Sequence, residues 1–201
     1  MTTQSESVRS ATVERKTSET KVTVAITLDG TGQSQVQSGI GFLDHMLVSF
    51  CKHSQCDLQL ACEGDLHIDD HHTVEDCALA LGQAIDKALG DRAGITRFAS
   101  AYAPLDESLA RVVIDVSGRP TCCVSMELQR ERVGQLSCEN VPHFFRSFAT
   151  AARLTLHVDI IRGENDHHKI EAAFKALALA LSQACCRCEG RADIPSTKGV
   201  L

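Results

Sequence analysis

The chain has 201 residues, 43% of them hydrophobic, enough to bury one substantial core or two small related ones but not two large independent domains. Lysine and arginine number 20 against 26 aspartate and glutamate, so the net charge of -6 provides no basic footprint and nucleic acid is not expected as a partner. No apolar run approaches the roughly 20 residues that span a bilayer, and the polar stretch up to Ser10 has neither the apolar core of a signal peptide nor an Arg-rich transit pattern, which predicts a cytoplasmic, non-membrane protein.

Residues 1–10 are expected to form a disordered tail. After it, strands are predicted near 11–17, through the alternating Val22, Val24, Ile26 and Leu28, and near 33–38. A helix over 42–54 follows, then a strand through Leu58 and Leu60. A longer helix starts near Asp70 and carries Val74, Cys77, Ala78, Leu81, Ile85 and Leu89 on one face. Strands near 97–103, 109–117 and 121–128 then precede a helix over 140–153, a strand at 154–161, and a helix with Ile170, Phe174, Leu177 and Leu181 aligned. The order is βββαβα twice, an α+β fold of two half-domains, 11–94 and 95–194. Each half is predicted to be a four-stranded sheet with two helices on one face, since two helices cannot cover both. The open face predicts burial through an internal two-fold relation and oligomerisation. Asp70 and Asp166 stand where helix N-caps belong, and Gly90 and Gly190 stand near where helices should stop.

Ten cysteines fall within apolar segments, as at Cys51, Cys77, Cys122 and Cys123, and are read as free thiols in a reducing compartment. The Cys185-Cys186-Arg187-Cys188 cluster lacks a second pair at zinc-ribbon spacing and is read as thiols packed at a helix end.

The repeat is chemical as well as structural. Asp70-His71-His72-Thr73-Val74-Glu75 recurs 96 positions later as Asp166-His167-His168-Lys169-Ile170-Glu171. Upstream, His45 with Ser49-Phe50 matches His143 with Ser147-Phe148 at an offset of 98. One Asp-His-His at a helix start is ordinarily a cap followed by solvated imidazoles, but packing gives no reason to duplicate polar residues in register. In H-x-x-x-E spacing the His and Glu lie one turn apart on one helix face, so His71 with Glu75, and His167 with Glu171, can each grip an ion. His72 and His168 point about 100° away and would serve the other metal. Crossing them predicts one site from His71, Glu75 and His168 and its mirror from His167, Glu171 and His72, with His45 and His143 adding one ligand each. Three His and one Glu per ion leave positions open for substrate, which is the mark of a catalytic metal. Imidazole and carboxylate without cysteine suit several divalent ions from Mn²⁺ to Zn²⁺. His53, His67 and His157 fall outside the repeat.

Gly41-Phe42-Leu43-Asp44-His45-Met46, Gly64-Asp65, the two Asp-His-His stretches with Asp76 and Gly163-Glu164-Asn165, and Pro195-Ser196-Thr197-Lys198-Gly199 together resemble the signatures of the imidazoleglycerol-phosphate dehydratase family. The resemblance runs from about Ala11 to Leu201, without the fused phosphatase domain of some relatives. It implies dehydration of D-erythro-imidazole-glycerol phosphate to imidazole-acetol phosphate in histidine biosynthesis, two Mn²⁺ ions per chain, and a homo-oligomeric shell of twenty-four subunits. It also implies substrate contacts at Glu19, His45, Lys52, His53, His71, Glu75, Arg97, Arg119, Ser196, Thr197 and Lys198, the last three on a substrate-binding tail at 195–201. Arg97, Arg119 and Lys198 would hold the phosphate, with Ser196 as a neutral donor.

The proton to be lost sits on the carbon bearing the ring and is not acidic by itself. Two metals on the ring nitrogens would hold an imidazolate whose electrons expel the neighbouring hydroxyl. A carboxylate must then carry protons; Glu19 and Glu171 are both candidates for that shuttle, with Glu75 the third glutamate of the site. A dinuclear metallohydrolase would instead need a bridging carboxylate, and a structural role would need closed coordination shells.

Overall fold

The computed structural model describes residues 8–188 and 190–201; most of the tail expected at 1–10 therefore lies outside the described residues. At its inner end the chain is already held, because Arg9 pairs with Asp29 and donates from Nη1 to the Cys185 carbonyl at 2.6 Å. Ser10 opens the first strand.

The first half consists of β1 (Ser10–Lys16), β2 (Thr20–Thr27), β3 (Ser34–Gln37), α1 (Gly41–Ser54), β4 (Asp57–Gly64) and α2 (His71–Leu89). The second repeats the plan with β5 (Phe98–Leu105), β6 (Ser108–Asp115), β7 (Thr121–Ser125), a small hairpin of β8 (Arg132–Val133) and β9 (Leu136–Ser137), then α3 (Asn140–Ala151), β10 (Thr155–Arg162) and α4 (Asp166–Cys185). Each half forms a four-stranded sheet, ordered β1-β2-β4-β3 and β5-β6-β10-β7. In both, the third strand pairs in parallel with the fourth and the other pairings are antiparallel.

Strand alternation decides which sheet face is covered. Val22, Val24 and Ile26 on β2 and Ala110, Val112 and Ile114 on β6 are buried at 0–2% exposure beneath helices. α2 packs on β1, β2 and β4, while α4 packs on β5, β6 and β10. The helices also pack across the duplication, α2 on α3 and α1 on α4, so they fill the space between the two sheets. Phe144, Phe145, Phe148 and Phe174 meet there with ring centroids 5.0–6.3 Å apart. The outward face of the second sheet is left with exposed Phe98, Tyr102 and Val113.

Three local expectations are corrected. Asp70 does not cap α2; Asp69 does, its Oδ1 accepting the His71 N–H at 2.8 Å. Asn165 likewise caps α4 by accepting the His167 N–H at 2.9 Å, and Asp166 is the first helical residue. Gly90 does end α2, with φ at 59°, but α4 stops at Cys185 rather than near Gly190. The reason is a tertiary pairing: 184–188 zips against 94–97, with Arg97 N–H donating to the Ala184 carbonyl and Cys188 N–H to the Gly94 carbonyl. The β8–β9 hairpin was not legible as strand, being two residues a side and turned at Gly134. No disulfide is formed among the described residues, and Cys51, Cys56, Cys77, Cys138 and Cys185 are buried thiols.

Gly82 sets how closely α2 and α3 approach. A Cβ there would stand 2.6 Å from the Phe148 carbonyl oxygen and 2.8 Å from Ala151 Cβ. Helix propensity alone favours Ala over Gly by about 1 kcal/mol, but forcing a methyl into packed backbone costs about 1–3 kcal/mol. The steric term is expected to win. Gly82→Ala should lower the melting temperature and Gly82→Val should lower it further; a Gly82→Ala protein as stable as the wild type would show that the helices separate freely.

Candidate metal centre

The duplicated aspartates do something other than cap. Asp70, 6% exposed, accepts from Ser137 N–H at 2.6 Å and from Ser137 Oγ at 2.7 Å. Asp166, 1% exposed, accepts from the Gln129 and Arg130 N–H groups at 2.7 Å and from Lys169 Nζ at 2.9 Å. Both therefore clamp the excursion between β7 and α3, where the second half is longest relative to the first. Burial on its own would raise the Asp166 pKa; hydrogen bonds from Arg130, Lys169 and Gln129 more than offset this and leave it lowered.

With the helix starts anchored, the histidines fall into two groups. His71, Glu75 and His143 form one triad, and His45, His167 and Glu171 form the other, with the donor atoms of each within 4.8 Å of one another. Each joins a helix start in one half to an upstream helix of the other, through the α2–α3 and α1–α4 contacts. His143 Nε2 lies 3.1 Å from Glu75 Oε1, and both His45 Nε2 and His167 Nε2 lie 3.2 Å from Glu171 Oε2. Two donors bound cis at about 2.1 Å to one ion sit about 3.0–3.4 Å apart, so these three His–Glu pairs already have ligand spacing, while the remaining donors lie within 4.8 Å. The triads share no carboxylate, unlike the bridged site of a dinuclear hydrolase.

The triads are not identical. His71 Nδ1 lies 3.0 Å from Asn140 Oδ1, which orients its ring and stacks it on His143 at 4.7 Å between centroids. At the equivalent place in the other half stands Phe42, and the His167 ring packs on it at 4.9 Å. Lys175 adds an ion pair to Glu171 Oε1 at 2.7 Å, where the first half has Leu79. Burial pushes the Glu171 pKa up, but Lys175 and His45 outweigh it and the carboxyl stays below its usual range.

His72 and His168 belong to neither triad of their own chain, so the expected crossing of these two residues does not occur within it. His72 lies instead against Asp65 and, at 3.8 Å, Glu19; His168 lies against Glu107 and, at 3.7 Å, Asp106. Glu19 is placed by Asp76, which accepts from Arg15 Nε at 2.7 Å and from Thr20 Oγ1 and so ties the β1–β2 turn to α2. Asn140, Asp65, Glu107 and Lys175 were missed by sequence reasoning. Only Asp65 carried any signal, in its pairing with Gly64.

The remaining expected contacts are scattered. Lys52 and His53 lie in the last turn of α1, and the His53 pKa is lowered by burial and then by the charge of Lys175. Arg97 donates to both Asp115 oxygens and, at 2.7 Å, to the Pro195 carbonyl, which ties it to the tail bearing Ser196, Thr197 and Lys198. Arg119 Nη1 reaches the Ser117 carbonyl at 3.3 Å. Arg97 sits beside Ala184 at the far end of α4, thirteen residues and hence about 20 Å along the helix from Glu171. The structure does not bring Arg97 and the triads of one chain together.

The frame and its two His-His-Glu groups define a duplicated α+β protein with paired metal-ligand triads at helix starts. The imidazoleglycerol-phosphate dehydratase family model matches residues 38–181. An imidazoleglycerol-phosphate dehydratase of Phytophthora nicotianae is 59% identical over 96% of this chain, which spans 43% of that longer protein. One from Salinibacter ruber is 54% identical over the full length of both chains. The crystal structure of the Staphylococcus aureus enzyme superposes with a TM-score of 0.81 at 39% identity, covering 89% of this chain and 99% of that one. The chain belongs to the imidazoleglycerol-phosphate dehydratase family and is a lyase of histidine biosynthesis.

Losing the Asp166 carboxylate would leave the buried Lys169 ammonium without its counter-charge, held by the Glu127 carbonyl at 2.8 Å. Asp166→Asn is expected to cost about 3 kcal/mol at neutral pH, measured by urea unfolding of metal-free protein. Because the folded-state pKa is lowered, this stabilisation is present above about pH 4 and disappears as pH falls through the folded value. The gap between wild type and variant should therefore close on acidification; equal stability at pH 7 would deny the clamp.

Proposed function

We propose that the chain dehydrates D-erythro-imidazole-glycerol phosphate to imidazole-acetol phosphate in the cytoplasm, using two Mn²⁺ ions per chain. The two His-His-Glu triads carry this reading, because their donors are hard enough for Mn²⁺, contain no thiolate and leave coordination positions for a ligand. When bound, the ions supply Lewis acidity to the substrate ring nitrogens, favouring the imidazolate form.

The chain's own residues handle the phosphate and the protons. Arg97, Arg119, Lys198 and the hydroxyls of Ser196 and Thr197 hold the phosphate, and Lys52 and His53 line the approach. Glu19 moves the proton. Glu75 faces His143, and Glu171 is occupied by Lys175, His45 and His167, whereas the Glu19 side chain is 48% exposed and has only a 3.8 Å approach to His72. The product's ketone stands on the carbon next to the ring-bearing one, so the expectation above is reversed: the C–H bond on that next carbon breaks with its proton passing to Glu19. The C–O bond on the ring-bearing carbon breaks, the hydroxyl takes that proton and leaves as water, and the enol tautomerises to the ketone.

The 20 Å along α4 between Arg97 and Glu171 exceeds the reach of one small substrate, which supports an active site shared between copies of the chain. His72 and His168, turned away from their own triads, are suited to complete the metal shells of neighbours. Exposed Phe98, Tyr102 and Val113 on the second sheet favour burial in an assembly, read here as a 24-subunit shell. No helix among the described residues is long and apolar enough to cross a membrane.

The purified Mn²⁺-loaded protein should convert imidazole-glycerol phosphate to the keto product, with two ions per chain by elemental analysis. His167→Ala should lose metal and reduce kcat by orders of magnitude, Glu19→Gln should keep both ions but reduce kcat, and Lys198→Ala should mainly raise KM by about 10–100-fold. A Glu19→Gln enzyme with wild-type kcat would return the proton shuttle to another group. Exhaustive chelation should shrink the particle in light scattering; an unchanged large shell would contradict assembly through metal.

A further inference from the structure

The two histidines outside the triads are each held by a carboxylate, and in both halves through the same ring atom. His72 Nδ1–H donates to Asp65 Oδ2 at 2.9 Å, and His168 Nδ1–H donates to Glu107 Oε2 at 2.7 Å. These carboxylates are not copies of one another. Asp65 follows β4, whereas Glu107 lies in the turn between β5 and β6; the residue matching Asp65 after the equivalent glycine is Glu164, whose N–H donates to Glu107 instead, at 3.1 Å. The duplication has reached one contact from two places in the fold.

Both carboxylates are built for the task. Asp65 comes within reach because Gly64 passes directly over Thr73, where a Cβ would collide with Oγ1. Its Oδ1 is buried without a partner among the described residues, and its Oδ2 accepts from the His72 ring. Glu107 is fixed differently: Oε1 accepts the Glu164 and Asn165 N–H groups and the Ser108 hydroxyl at 2.9–3.1 Å, leaving Oε2 for the ring. A carboxylate on Nδ1 keeps the imidazole proton there, frees the Nε2 lone pair and fixes the plane of the ring.

We propose that Asp65 and Glu107 are positioning residues that hold His72 and His168 in the Nδ1–H tautomer, so that each presents Nε2 as a donor to a metal centre. This rests on the proposed metal reading. The test is titration of Mn²⁺ alone into chelator-treated full-length chain, with bound ion read by electron paramagnetic resonance. Asp65→Ala is expected to weaken binding about 10–100-fold, Asp65→Asn, which keeps a neutral acceptor, by less, and Glu107→Gln to match that smaller loss at the other site. Circular dichroism and melting of the metal-free variants should equal those of the wild type, which a merely structural role would not allow. His72→Ala serves as the reference. If it loses Mn²⁺ while Asp65→Ala binds with wild-type affinity, the positioning role is overturned and the metal reading stands; if His72→Ala itself binds normally, the metal reading beneath the proposal falls.

Discussion

An α-helix turns about 100° per residue, so two consecutive histidines at its start cannot face the same ion. Everything distinctive in this chain follows from that angle. His71 and His167 turn inward, each to a glutamate one turn along or a histidine from the opposite half, and close the two triads. His72 and His168 turn outward to acidic residues on hairpin turns and loops. One dipeptide, repeated, thus divides its work between the interior of the chain and its surroundings.

The duplication supplies this division twice, but the copies have been tuned apart. His71 is oriented by the hydrogen bond its Nδ1–H donates to Asn140 Oδ1, His167 by packing on Phe42, and of the two triad glutamates Glu171 has a lysine beside it. The first of these differences follows from the β8–β9 excursion, which exists in the second half alone and brings Asn140 and Ser137 under Asp70. Asp70 and Asp166 hold that excursion at two points. A buried carboxylate clamp is a costly arrangement unless its oxygens are answered, and here backbone N–H groups, Ser137 and Lys169 donate to them.

Helix length is the second constraint. α4 carries the triad at its first turn and contacts the Arg97 segment at its last, so one rigid element fixes the separation between metal ligands and the basic groups tied to the tail. Motion of a loop cannot close a gap of about 20 Å built into a helix. That geometry, rather than the area of any surface, is what the proposal of a site shared between copies of the chain rests on.

By itself the sequence determined the element order, the four-stranded halves with helices on one face, the duplication, and the membership of the two H-x-x-x-E pairs, because period, offset and i,i+4 spacing are local properties that survive without coordinates. It also marked His45 and His143, through their shared offset. What only the tertiary structure decided was which imidazoles meet. His45 joins Glu171, and His143 joins Glu75, because α1 packs on α4 and α2 on α3. Asp70 looked like a cap and proved to be a clamp, since a carboxylate before a helix reads the same whether its donors are its own backbone or a segment 67 residues away. Asp65, Glu107, Asn140 and Lys175 left almost no trace in the sequence for the same reason: each acts on a ring or carboxylate through one long-range contact or a pairing present in a single half, and neither period nor repeat records such contacts.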